Sequence, residues 1–345
     1  MEAMTAGETA PRGRAGLPAR VAITLIMVFG GACLTTGGML GGAESLPPQP
    51  SHPTPAVAGN LILNPGFEFP TLHPWQPHAT RSPLTVDNVH RGTQAVLILP
   101  GEEVRQRVTG LTAGAFYVLR AWIWSVEGLG EITYAESHKE QNGKLVFAGA
   151  RRTGSYQLTT LVFQPEAAPE SADGSASVDI RFYTEAGKGV ARMDEVELRE
   201  ARPIGPNLIV NSDFGAPDLS PWKSEKGGAV LEPQSDRAGK VCLKLSKLGG
   251  ARQLITGLKP GTTYCVSSGT KGSWFRFGVS RHGFNTDHIS INSKNEYVHR
   301  TIGFTTAPNA TQAEVYFYNP RDQEIRIDRV EVREMAEVSR PLRSR

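Results

Sequence analysis

The sequence predicts an all-β chain in which two tandem β-sandwiches follow an N-terminal membrane-spanning or signal helix. Three observations carry this expectation. Sixteen residues from Asn60 to Trp75, NLILNPGFEFPTLHPW, return 147 positions later as NLIVNSDFGAPDLSPW, Asn207 to Trp222, with nine identities. Beyond these stretches apolar and polar residues alternate, which is the period of a strand and not of a helix. The 37 glycines and 24 prolines among 345 residues punctuate that alternation with turns.

The elements follow in order. Residues 1–20 form a basic segment with Arg12, Arg14 and Arg20, and Val21 to Ala43 then contains no charged side chain. As a helix, 23 residues rise about 34 Å, enough to cross a bilayer. Arginines before the run keep the N-terminus inside and put everything after Glu44 on the extracytoplasmic side. Three readings stay open: a retained single-pass anchor, a signal peptide cleaved near Ala43, or a lipid anchor on Cys33. The last rests on FGGAC, which resembles a weak bacterial lipobox with Gly30 where leucine is usual. Each reading places the bulk of the chain at a cell membrane, on its periplasmic or extracellular face. Residues 44–59, with five prolines, read as an extended linker.

The repeat continues from there. VRQRVTGLTAGAFY (Val104 to Tyr117) lies over ARQLITGLKPGTTY (Ala251 to Tyr264), SYQLTTLVF over EYVHRTIGF, and MDEVELRE (Met193 to Glu200) over IDRVEVRE (Ile327 to Glu334). Length changes confined to turns indicate a duplicated domain: module 1 at 60–200, a linker at 201–206, module 2 at 207–334 and a basic tail at 335–345. In YVLRAWIWS, Tyr117, Leu119, Ala121 and Ile123 share one face, and Val118, Arg120, Trp122 and Trp124 the other. Val178, Ile180, Phe182, Val196 and Leu198 fall inward in their strands. Phe67, Phe214, Trp75 and Trp222 read as core residues near the first strand.

NLILNPGFE with its closing PW, the GL…G..Y.L..W pattern and MDEVEL resemble the carbohydrate-binding modules of the xylan- and glucan-binding jelly-roll group, families 4, 9 and 22. The resemblance spans both copies. It implies a jelly-roll fold and a non-catalytic role. It also implies a structural calcium between an acidic residue of the opening motif and the aspartate of the closing one, here Glu68 and Asp194. In module 2 Asp328 fits, but Gly215 replaces the glutamate and Asp213 is the substitute on offer. No other cofactor is implied.

Sugar platforms use exposed aromatic rings, on which pyranose faces stack, with polar groups at the rim. Trp122 and Trp124 with Arg120, and Tyr183 with Arg181, hold the non-core phase of their strands and form the candidate platform of module 1. Gly269 and Lys271 erase it in module 2, where Trp274, Tyr316 and Tyr318 are the alternative. Packing against the other module or a partner protein is the competing role for all of them. Cys242 and Cys265 both take the non-core phase, so a disulfide between them competes with two inert thiols.

Other chemistry finds little footing. Glu136, His138 and Glu140 gather in a polar loop with the spacing of a solvated turn. No pair of carboxylates is marked as lying across a cleft, and there is no metal spacing, nucleophile elbow or phosphate loop. A net charge of +3 with scattered basic residues argues against nucleic acid. The expectation is a membrane-anchored, non-catalytic protein that holds a polysaccharide or cell-wall glycan through module 1. The alternative is an accessory subunit whose sandwiches dock onto a larger membrane protein complex.

Overall fold

A computed structural model describes residues 59–338 apart from 78–82, 128, 137–145, 152, 168–170, 185, 188, 227, 234–239, 285–286 and 293–295. The uncharged run at 21–43 with Cys33, the Pro-rich linker up to residue 58, His138, Glu140 and the tail beyond 338 lie outside the described residues, as does the side chain of Glu136. Among the described residues no helix is long and apolar enough to cross a membrane.

Among the described residues the alternation read from the sequence closes into twenty strands. Module 1 supplies β1 (Gln76–Pro77), β2 (Leu84–Thr85), β3 (Ala95–Ile98), β4 (Glu103–Thr112), β5 (Phe116–Glu127), β6 (Leu129–Glu136), β7 (Val146–Arg151), β8 (Gln157–Phe163), β9 (Ser175–Thr184) and β10 (Val190–Ile204). Module 2 supplies β11 (Lys223–Glu225), β12 (Ala229–Pro233), β13 (Val241–Leu245), β14 (Gly250–Thr256), β15 (Thr263–Lys271), β16 (Ser273–Ser280), β17 (Asp287–Asn292), β18 (Val298–Thr305), β19 (Gln312–Tyr318) and β20 (Ile325–Glu337). Each module has its own flank sheet: β1-β4-β9-β6-β7 in the first, and β11-β14-β19-β16-β17 in the second. The remaining strands of both join one ten-stranded central sheet. The fold is all-β, with each flank sheet packed over its half of the central sheet as a jelly-roll sandwich.

The inward phases fill the cores. Tyr117, Leu119, Ala121, Val178, Ile180, Phe182, Val196 and Leu198 are buried, as are Phe67, Trp75, Phe214 and Trp222. The repeated opening stretch is not a strand, and side-chain amides tie it down. Asn60 accepts from the Ile62 and Leu198 amides and donates to the Val196 carbonyl. Asn207 repeats this with Ile209, Val332 and Val330. Gln106 brackets Leu63 by its N–H and C=O, and Gln253 brackets Val210 in the same way.

The linker expected at 201–206 is strand for its first four residues. There β10 pairs antiparallel with β20, from Ala201 opposite Glu337 to Ile204 opposite Glu334. The outward phases of the two halves then meet over a small apolar cluster: Val118, Val162 and Ala201 from module 1, Cys265 and Met335 from module 2. Thr160 and Thr305 exchange a buried 2.9 Å hydrogen bond across this seam, and Thr301 donates to the Val162 carbonyl.

The structure overturns the expected disulfide. Cys242 and Cys265 are both free and buried. Strands β13 and β15 flank β20 on opposite sides, so the two residues stand at least two strand spacings apart, about 9.6 Å. A bridge needs Cα atoms within about 7 Å. Burial pushes the Cys265 thiol up to about 12.

A Cβ on Gly303 would lie 2.5 Å from Cγ2 and 2.9 Å from the backbone nitrogen of Val162. Gly303→Val should therefore cost about 1–3 kcal/mol and act at the seam more than in either core. Calorimetry should show one module's transition separating from the other; an unchanged melt would show that the seam does not couple them.

Candidate functional site

Strand β5 places Trp122 and Trp124 on the outer face of the central sheet, beside the seam. Arg120 is part of that seam: its Nη2 lies 2.5 Å from Glu337 Oε1 and 2.6 Å from Glu197 Oε2, and its Nη1 reaches Thr263 of module 2. Trp122 stacks on His90 at 4.1 Å between centroids and meets the edge of Phe284 from module 2. Trp124 donates to the Thr153 carbonyl, lies under Arg192 and packs edge-on to Tyr156. Beside Trp122 opens a cleft of about 700 Å³, lined by Arg91, Arg120, Leu158, Glu68 and Glu197 among others. Trp122 itself lines it, with His90 stacked on its indole.

Tyr183 and Arg181 do not join these tryptophans. They stand on β9, in the flank sheet on the other side of the sandwich, so the five residues proposed as one platform lie on two faces. Each is half-buried among charges: Arg181 lies 3.5 Å from Asp179 and 3.9 Å from Glu103, and Arg107 holds the other Asp179 oxygen at 3.1 Å.

The flank sheet of module 2 is arranged differently. Tyr316 and Tyr318 are two apart on its central strand β19, so both rings rise from the outer face. Opposite Tyr316 stand Arg252 on β14 and Gly278 on β16; opposite Tyr318 stand Gly250 and Arg276. Both glycines are buried, and the Tyr318 ring leans over Gly250, where an added Cβ would meet its Cδ2 at 3.5 Å. Lys226 lies over Tyr318 with its Nζ 5.9 Å from the centroid. Trp274, at the bulge that opens β16, is half exposed with Arg321 over it at 5.0 Å. The structure thus gathers the three candidates of module 2 around one sheet face. The basic residues around them carried no signal in the sequence, because they come from four separate segments.

Glu68 and Asp194 converge on one turn. Asp194 is fully buried and accepts from the amides of His90, Arg91 and Glu195. Glu68 accepts from the amides of Thr93 and Gln94 and from the Thr93 hydroxyl. A Cβ at Gly66 would sit 3.6 Å from Glu68 Cγ and 3.9 Å from Asp194 Oδ1, so glycine keeps the space between them open. Hard oxygen donors around such a space suit a divalent cation. Among the described residues no three His, Cys, Asp or Glu side chains converge, so a cation would rest on two carboxylates and backbone carbonyls. In module 2 Asp213 accepts from the Gly215 amide within its own turn. His90 is a neighbour that sequence reasoning missed; it holds Glu195 at 2.8 Å.

Comparison with known proteins bears most directly on module 2. Residues 206–323 match the family model described as a carbohydrate binding domain. The keratan-sulfate endo-1,4-beta-galactosidase of Sphingobacterium multivorum is 32% identical over 120 residues, 33% of this chain and 28% of that enzyme, so the chain spans little more than a quarter of this relative. Among solved structures, the chain is similar to the N-terminal CBM22-1–CBM22-2 tandem domain of Xyn10C from Paenibacillus barcinonensis (14% identity, 82% of this chain, 99% of that one, TM-score 0.33). It is also similar to TmCBM61 in complex with β-1,4-galactotriose (20% identity, 41% and 98% coverage, TM-score 0.31). Both copies are jelly rolls; the second matches a carbohydrate binding domain and the first is its internal repeat.

Burial pushes the Asp194 carboxyl up to about 7, with neighbouring Glu195 adding to it against the three backbone donors. Between roughly pH 4 and pH 7 the folded chain then keeps a proton that the unfolded chain has released. Stability in chelator should fall as pH rises through that window. Asp194→Asn should flatten the slope in denaturant melts; a slope retained in the variant would assign it to another group.

Proposed function

We propose that this chain is a non-catalytic, extracytoplasmic glycan-binding protein and that the outer face of the module 2 flank sheet is its glycan-binding face. One observation carries the proposal: Tyr316 and Tyr318 stand side by side on the central strand of the module that matches a carbohydrate-binding domain, each beside a glycine. Two rings about 7 Å apart along a strand offer successive sugar units an apolar floor, with Arg252 and Arg276 placed to bind hydroxyls. In module 1, the Trp122 cleft is the weaker candidate. His90 and Phe284 occupy two sides of its indole, and Arg120 is committed to the seam.

Presentation outside the cell rests on the uncharged run from Val21 to Ala43 after three arginines. The competing role, an accessory subunit of a membrane complex, finds its nearest support in the tryptophans beside the seam.

The test uses the full chain in mild detergent against β-1,4-galactan and xylan, followed by tryptophan fluorescence and by depletion from solution. Tyr316→Ala/Tyr318→Ala should weaken binding about tenfold or more, whereas Trp122→Ala should leave most of it. Loss in the Trp122 variant alone would move the site to module 1. Binding to neither polysaccharide by any variant would favour the accessory-subunit role.

We also propose a structural calcium between Glu68 and Asp194 in module 1. The supporting observation is the open space that Gly66 leaves between two acidic groups, one of them buried without a cationic partner in contact. Millimolar calcium added to chelator-treated protein should raise its melting temperature, and Glu68→Gln should abolish the rise. A melting temperature indifferent to calcium would refute this.

A further inference from the structure

The cations on the module 2 face exceed what its carboxylates neutralise. Among the described residues two acidic side chains stand on that face, Glu225 and Glu314, and both are taken. Arg252 reaches Glu225 at 3.2 Å and Glu314 at 3.5 Å, and Arg281 reaches Glu314 at 3.6 Å. At its margin Asp322 is paired with Lys247 at 3.0 Å. Four further cations, Lys223, Lys226, Arg276 and Arg321, are exposed, and among the described residues none of them has a carboxylate partner.

Their placement follows the aromatic rings. Lys226 and Arg321 lie over the rings of Tyr318 and Trp274. Arg276 is the direct cross-strand partner of Tyr318, and Lys223 stands opposite Arg252, one strand beyond Tyr316. Residues directly opposite one another share a face. Each ring therefore has an unpaired positive charge within one or two strand spacings, about 5–10 Å. On the corresponding face of module 1, Arg107 and Arg181 are paired with Asp179 and Glu103.

From this we infer that the module 2 face is built for an anionic glycan, one whose sugar rings stack on Tyr316 and Tyr318 while sulfate esters or uronate carboxylates meet Lys223, Lys226, Arg276 and Arg321. The inference rests on the glycan-binding role of this face and adds the charge of the ligand. Sulfate and carboxylate share the needed chemistry, a fixed anion outside the pyranose ring that a lysine or an arginine fork can hold.

The experiment measures binding of the full chain to keratan sulfate, to the same chain after chemical desulfation, to polygalacturonate and to polyglutamate. The expected result is binding about tenfold tighter to an anionic glycan than to desulfated keratan. The difference should shrink as ionic strength rises from about 0.1 to about 1 M and the screening length falls from ~10 to ~3 Å. Lys226→Gln/Arg276→Gln should lose the preference while keeping affinity for the neutral chain, and Tyr316→Ala/Tyr318→Ala should lose both. Tight binding of keratan sulfate alone, or of polygalacturonate alone, upholds the inference and identifies the anion. Equal affinity for neutral and charged chains overturns it and leaves glycan binding standing. Polyglutamate bound as tightly as the glycans, with the tyrosine variant unchanged, reduces the face to a plain ion exchanger and overturns it as well. Binding to none of the four overturns glycan binding itself.

Discussion

Each sandwich depends on a few side-chain amides that hold an irregular segment as firmly as a strand. The opening stretch of each module sends Ile62, Phe67 and Trp75, or Ile209, Phe214 and Trp222, into the core although it makes no continuous ladder of its own. Buried backbone N–H and C=O groups must nevertheless find partners. Asn60 and Asn207 supply them toward the closing strand, and Gln106 and Gln253 toward β4 and β14. Asn64 and Asn211 complete the set. Each takes a left-handed backbone, accepts the indole N–H of Trp75 or Trp222 on its carbonyl, and holds the following loop with its side chain. Every one of these residues is identical between the copies. The repeat is therefore best preserved where replacing one amide would strand several buried polar groups at once.

This explains what the sequence could and could not disclose. Alternation identifies the inward face of a strand, so the core positions of β5, β9 and β10 were legible, as were the paired tryptophans and phenylalanines. Alternation says nothing about what the outward face meets. Val118, Trp122 and Arg120 share one phase, yet Val118 is buried in the seam, Arg120 bridges it and Trp122 borders a cleft. Tyr183 has the same outward phase on the opposite sheet, and phase alone cannot separate the two faces. The cysteines failed for a related reason: a shared outward phase left a bridge open, while β20 stands between their strands and keeps them apart.

The two copies show how one framework accepts different surfaces. Their amide sets and their core tyrosines agree; Tyr117 and Tyr264 each accept the amide of the residue five positions earlier. Their flank faces diverge in part: Arg105, Asp179 and Tyr183 keep like counterparts in Arg252, Glu314 and Tyr318, while Glu103 and Arg181 give way to Gly250 and Tyr316. In module 1 Arg107 and Arg181 are paired with carboxylates, whereas in module 2 four cations stand beside the rings with no carboxylate at hand among the described residues. Outer-face residues of a sheet contribute little to the core, so such charge rearrangement leaves the fold intact.

The seam joins equivalent positions. By the internal alignment Val118 corresponds to Cys265, Val162 to Gly303 and Ala201 to Met335, so like patches meet as across a two-fold axis. The fit is nonetheless unequal, because Val162 occupies the space that the missing side chain of Gly303 vacates. A second module 1 in place of module 2 would bring valine against valine there, in a gap that does not admit even a methyl group. The seam thereby discriminates between a second module and another first module. Steric exclusion at one glycine forbids two first modules from pairing through this face.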